Sequence, residues 1–88
     1  ILSVTTVRED EAEAIEAVAL DTSEIVDKPL EKVKFPKGAI VGAVVGNGGT
    51  IIPGGKTVIK SGDRVIIFAT KSAVKKVEKL LTVKLEYF

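Results

Sequence analysis

The side chains that most often run enzymatic chemistry are thinly represented in this 88-residue sequence. It holds no histidine and no cysteine, which removes thiol nucleophiles, thiolate metal ligands, disulfides and the usual base that activates a serine. Ser3, Ser23, Ser61 and Ser72 are each better explained by turns or helix caps. The carboxylates gather in the run REDEAEAIE, residues 8–16. A general acid needs a shielded setting to raise its pKa, and a charge run of this kind reads as a solvated turn or edge. Its oxygens could face a hard cation, but no loop has EF-hand spacing. No catalytic residue and no metal ligand is assigned. The cluster Gly46–Asn47–Gly48–Gly49–Thr50 superficially suggests a phosphate loop. It lacks the Gly-Lys-Ser/Thr ending of one nucleotide motif, and Ile51 stands where the dinucleotide fingerprint needs glycine. A hairpin turn is the better reading. What survives is an apolar surface made of Ile40, Val41, Ile51, Ile52 and Pro53, on two strands joined by that turn. Proline sits in a strand only at its edge or end. An apolar edge beside exposed backbone groups suits a partner strand or a small ligand.

The elements that would position this surface can be followed along the chain. Ile1–Val7 is apolar and β-branched, either a strand or an interdomain connector. Glu13–Leu20 alternates and is assigned to a strand, ended by the turn residues 21–23. Lys28–Lys34 predicts a short helix with Pro29 at its first position, Leu30 and Val33 facing the core, and Pro36 stopping it. Ile25 and Val26 anchor that helix to the sheet. Ala39–Val45 is apolar on both faces and predicts a buried strand, with Gly42 marking a bulge or a close approach. Thr50–Pro53 returns as a second strand after a turn that supplies positive-φ residues. Thr57–Ile59 is a short extended piece, and Arg64–Ala69 is a third buried strand. Ser72–Leu81 is the clearest helix, capped by Thr70 or Ser72. Its stripe of Val74, Val77, Leu80 and Leu81 faces inward, with Lys75, Lys76 and Lys79 outward. Thr82–Phe88 is a last strand able to pair with Ile1–Val7, or a loose tail. The fold class is α+β, a small β-rich sheet with a short helix after the first strand and a C-terminal amphipathic helix packed on it. Residues 1–12 form a linker or strand, 13–81 the domain, and 82–88 a strand or tail.

Composition bounds the task. A chain of this length is one domain with a modest core, yet it is 45% hydrophobic with a mean hydropathy of +0.29. The apolar excess predicts a subunit or domain interface. The sequence lacks methionine, which suggests a piece of a longer protein or a processed one. No signal peptide or spanning segment is evident. The net charge of +1 divides into −6 over residues 1–32 and +7 over residues 33–88, so the halves can complement each other. Nucleic-acid binding is not expected, since the basic excess is small and aromatics are 5% of residues.

The ordered segments K-P-L (Lys28–Leu30), G-A-I-V-G-A-V (Gly38–Val44), I-I-P (Ile51–Pro53) and G-D-R-V-I-I-F-A (Gly62–Ala69) closely resemble the C-terminal domains of Trk potassium-uptake regulators, called TrkA-C or RCK-C domains. The likeness spans about Ala14 to Leu81. It implies a cytoplasmic regulatory domain at the inner face of the membrane, serving a potassium transporter or channel subunit. In the family such a domain follows a Rossmann-type nucleotide-binding domain and typically dimerises. Some members bind a small effector between two copies, with cyclic di-AMP the best-known case, and others respond to divalent cations. The resemblance places Ile40, Val41, Ile51, Ile52 and Pro53 along the dimer cleft and Asn47 in the turn near it. Lys34 or Lys37 stands where members that bind cyclic di-AMP carry an arginine, and no histidine follows near the hairpin. A different anion, or no ligand, is equally open. The alternative is a purely structural assembly domain with no ligand of its own.

Overall fold

The segment Arg64–Thr70 alternates so regularly that it fixes the centre of the molecule. Val65, Ile67 and Ala69 are buried, while Arg64, Phe68 and Thr70 are exposed. A strand puts successive side chains on opposite faces, so this one divides the sheet into a covered and an open side. In the computed structural model, which describes residues 2–8 and 11–82, it is the middle strand of five. The strands are β1 (Ser3–Arg8), β2 (Ala12–Val18), β3 (Ala39–Gly46), β4 (Gly49–Ile51) and β5 (Arg64–Thr70). They lie in the order β1-β2-β5-β3-β4, and every neighbouring pair is antiparallel. β2 pairs with β5 along its whole length, from Ala12↔Thr70 to Val18↔Arg64.

The covered face carries Ile15, Ala17, Val44, Val65 and Ile67. Helix α1 (Val74–Leu81) and the segments bearing Ile25, Val33 and Ile59 join them in one core cluster. Val77, Leu80 and Leu81 of α1 are buried, as their spacing predicted, and Lys75, Lys76 and Lys79 are exposed. Burial of each such aliphatic side chain contributes about 1.5–3 kcal/mol. The connection from β2 to β3 is stitched beneath the sheet. Val26 bridges Ile59 in parallel, and Pro29 bridges Val58. Leu30 N–H donates to Thr57 C=O at 2.9 Å and Glu31 N–H to Gly55 C=O at 2.8 Å. Ser23 is the one buried polar residue among those described. Its hydroxyl donates to Leu80 C=O at 2.5 Å and accepts from Ile25 N–H at 3.3 Å, tying the end of α1 to this connection.

Several expectations are corrected. The helix predicted over 28–34 is a single 3-10 turn, Leu30–Lys32. Pro29 precedes it with ψ 142°, outside the helical region, because the bridge to Val58 holds it extended. β3 is buried on one face only, since Ile40 is 65% exposed. β4 stops at Ile51, so Ile52 and Pro53 lie beyond the sheet. No side chain caps α1, and Thr70 and Ser72 place their hydroxyls 3.3 Å from each other instead. β1 pairs with β2; the rest of the predicted terminal strand, residues 83–88, lies outside the described residues. In the hairpin the positive φ falls on Gly49 (111°), after the two-residue tip Asn47–Gly48.

Gly42 is both a bulge and a close approach. The β3–β5 register slips between Val41 and Ala43, and a Cβ on Gly42 would penetrate the Phe68 ring. The edge of the ring therefore sits against the glycine on the open face. Ile40, opposite Phe68, continues that apolar surface.

Candidate functional site

The short β4 creates the site. It pairs only with Val44–Gly46 of β3, because Pro53 has no N–H to extend the ladder and Gly54–Gly55 turn the chain away. The first half of β3 thus has β5 on one side and an open edge on the other. Thr70 N–H donates to Gly38 C=O at 2.8 Å, which sets the phase of the β3–β5 ladder. In an antiparallel pair, backbone groups alternate between facing the partner and facing away. By that alternation Ala39 and Val41 direct their N–H and C=O groups to the open edge. Pro36 C=O accepts from Ala39 N–H at 3.2 Å.

A groove of about 280 Å³ runs along this edge. Ala39, Ile40 and Val41 form one wall, Pro53, Gly54 and Gly55 the other, and Leu30, Glu31 and Phe35 complete it. Leu30, Phe35 and Val41 are partly buried and pack on the core, so this part of the groove rests on rigid structure. Among the described residues Glu31 carries the groove's one charge. A Cβ on Gly55 would come within 3.1 Å of Glu31 Oε2, so the glycine leaves room for the carboxylate. The groove lies just below the range for ligand pockets, roughly 300–1,000 Å³.

Three of the residues singled out in the sequence meet here: Ile40, Val41 and Pro53. Ile51 and Ile52 follow directly before Pro53 and are 51% and 82% exposed. Asn47 is at the hairpin tip, at the far end of β3 from Ile40, roughly 20 Å away at 3.3 Å per residue. Lys34 is exposed beside Phe35 but does not line the groove. Lys37 lines a different cavity, with Thr70, Ser72 and Lys76. Sequence reasoning missed Glu31, Phe35, Gly54 and Gly55. Phe35, one of three phenylalanines and placed just before a proline and an apolar strand, was the available signal. Among the described residues no group of histidine, cysteine or carboxylate side chains is arranged to hold a metal ion.

Comparison with known proteins gives a consistent picture. The TrkA-C domain profile matches residues 14–82. The chain is 55% identical over 80 residues to the Trk system potassium uptake protein TrkA homolog 2 of Methanosarcina mazei, covering 91% of this chain and 18% of that protein. It is 47% identical over 76 residues to the Trk system potassium uptake protein TrkA of Azorhizobium caulinodans, covering 86% of this chain and 17% of that one. The chain therefore spans under a fifth of the length of these relatives. Among solved structures, Streptococcus agalactiae BusR in complex with its busAB-promotor DNA superposes with a TM-score of 0.68 at 19% identity, covering 94% of this chain and 41% of that one. An RCK domain with cda superposes at 0.59 and 24% identity, covering 82% and 99%. These two likenesses establish a shared fold.

Proposed function

The chain belongs to the TrkA-C domain family, and on that premise we propose that it is a cytoplasmic regulatory domain of a potassium-uptake system, acting as a homodimer that takes a small effector at the open edge of β3. In the parent protein it would work beside a Rossmann-type nucleotide-binding domain and act on a membrane potassium transporter or channel subunit. The naming of these relatives as potassium uptake proteins supports the process. The observation that carries the site is the uncovered edge at Ala39–Val41, flanked by the exposed side chains of Ile40, Ile51 and Ile52. Exposed isoleucines beside a free strand edge are an aggregation hazard unless something covers them. A second copy would cover them and enlarge a groove that is small in one copy alone.

The groove's charge bears on the effector. Among the described residues its lining offers one carboxylate and no cation. An anion such as cyclic di-AMP would therefore need cationic groups from the second copy, or from Lys34, the residue before the lining residue Phe35. A purely structural assembly role is the second reading, favoured by the same small size and missing cation. Thermal unfolding with a panel of nucleotides and divalent cations separates the two. A compound present at 100 times its Kd adds roughly 2.7 kcal/mol, and that shift should vanish in Ile40→Lys. Unchanged midpoints with every compound would exclude a ligand among those classes and leave assembly as the role.

A further inference from the structure

A second cavity, of about 450 Å³, opens where the turn into β3 meets the start of the C-terminal helical segment. Its lining is Lys37, Gly38, Thr70, Ser72, Ala73 and Lys76. The backbone brings these groups together. Gly38 has φ 94°, a conformation that glycine adopts without strain. It accepts a hydrogen bond from Thr70 N–H at 2.8 Å. A Cβ on Gly38 would stand 2.5 Å from Thr70 Oγ1, so only glycine lets the turn close on that hydroxyl. The chain then passes into the 3-10 turn Lys71–Ala73 and α1, which places Ser72 beside Thr70 and Lys76 one turn further along.

The chemistry of this lining is that of an anion site. Thr70 Oγ1 and Ser72 Oγ are 3.3 Å apart. When one donates to the other, the second keeps its own O–H free to donate elsewhere. Lys37 and Lys76 take part in neither of the ion pairs found among the described residues, Lys60–Asp27 and Arg64–Glu16. Among the described residues no carboxylate and no aromatic ring lines the cavity. Two ammonium groups without an ion pair among the described residues, and a free hydroxyl, suit the oxygens of a phosphate group. The contrast with the β3 groove, whose one charge is the Glu31 carboxylate, makes the two sites chemically opposite.

We propose that this cavity is a binding site for a soluble phosphate group, separate from the β3 groove and independent of dimerisation. The test is an NMR titration of the isotopically labelled 88-residue chain with inorganic phosphate, against sodium chloride at matched ionic strength. Phosphate should produce saturable shifts centred on the amides of Gly38, Thr70, Ser72 and Ala73, and chloride should not. Lys76→Gln and Lys37→Gln should each weaken phosphate binding about fivefold, the effect of losing one close charge in water. Lys79→Gln, on the same helix but outside the cavity, should leave it unchanged. Equal shifts with chloride, or equal weakening by Lys79→Gln, would reduce the site to diffuse attraction by a lysine-rich surface and overturn the proposal. So would binding to vesicles containing phosphatidic acid without any response to inorganic phosphate.

Discussion

Replacing Gly42 by alanine gives a stability change whose sign depends on Phe68. The new Cβ would penetrate the Phe68 ring, and the ring, 44% exposed, would have to leave the glycine. Full burial of a phenylalanine is worth about 1.5–3 kcal/mol, so giving up the buried half costs about 1 kcal/mol. Against this, alanine restricts the unfolded chain and gains about 0.4–1 kcal/mol where the native backbone accepts it. Gly42 is not among the positive-φ residues, so that condition is met. In the wild-type background the two effects nearly cancel, leaving a loss of about 0–1 kcal/mol. In a Phe68→Ala background the steric cost disappears and Gly42→Ala becomes stabilising by about 0.4–1 kcal/mol. The coupling between the positions is then about 1 kcal/mol, or about 4–8 °C in Tm for a domain of this size. The assay is thermal and urea unfolding of the four proteins at one fixed concentration, because self-association would raise the apparent stability of any variant that dimerises. A double variant less stable than Phe68→Ala alone would refute the packing of the ring on the bulge.

Two further outcomes follow from the core. Ser23→Ala leaves Leu80 C=O and Ile25 N–H without their hydroxyl partner and should cost about 1–3 kcal/mol in urea unfolding, with faster hydrogen exchange at the end of α1. Ile67→Ala, at a fully buried position on the central strand, should cost about 2–5 kcal/mol, a large part of the total stability of so small a domain, and show as a fall in the urea midpoint.

Much of this architecture was legible in the residues, and the parts that were not have physical reasons. β5 and α1 could be read because each shows one clear period, two in Val65–Ile67–Ala69 and about 3.6 in Val77–Leu80–Leu81. β2 was harder, since alanine and glutamate favour helix, and pairing along its whole length with β5 decided the outcome. The 28–34 segment satisfied local helix rules but is held extended at Pro29 by its bridge to Val58, a long-range contact that no local pattern reveals. β3 looked buried on both faces because apolar content alone does not say which face another layer covers. At the candidate site, the apolar residues Ile40, Val41 and Pro53 were identifiable from strand and proline chemistry. Glu31 and Gly55 were not, because they meet only through the backbone pairing of the 3-10 turn with the chain after β4. The family resemblance offered Lys34 or Lys37 as the cation near the cleft, and the turn at Gly38 places Lys37 at the other cavity.

On the proposed function, a second copy covers the open edge of β3 and the isoleucines beside it. Ile40, Ile51 and Ile52 are 65%, 51% and 82% exposed, and burying them from both copies is a favourable term large enough to compete with the cost of association, about 4–15 kcal/mol. Sedimentation equilibrium across a concentration series tests this most directly, comparing the wild-type chain with Ile52→Lys and Ile40→Lys. The prediction is a dimer for the wild type at micromolar concentration and folded monomers for both variants. A wild-type chain that stays monomeric throughout, or variants that dimerise as the wild type does, would contradict it.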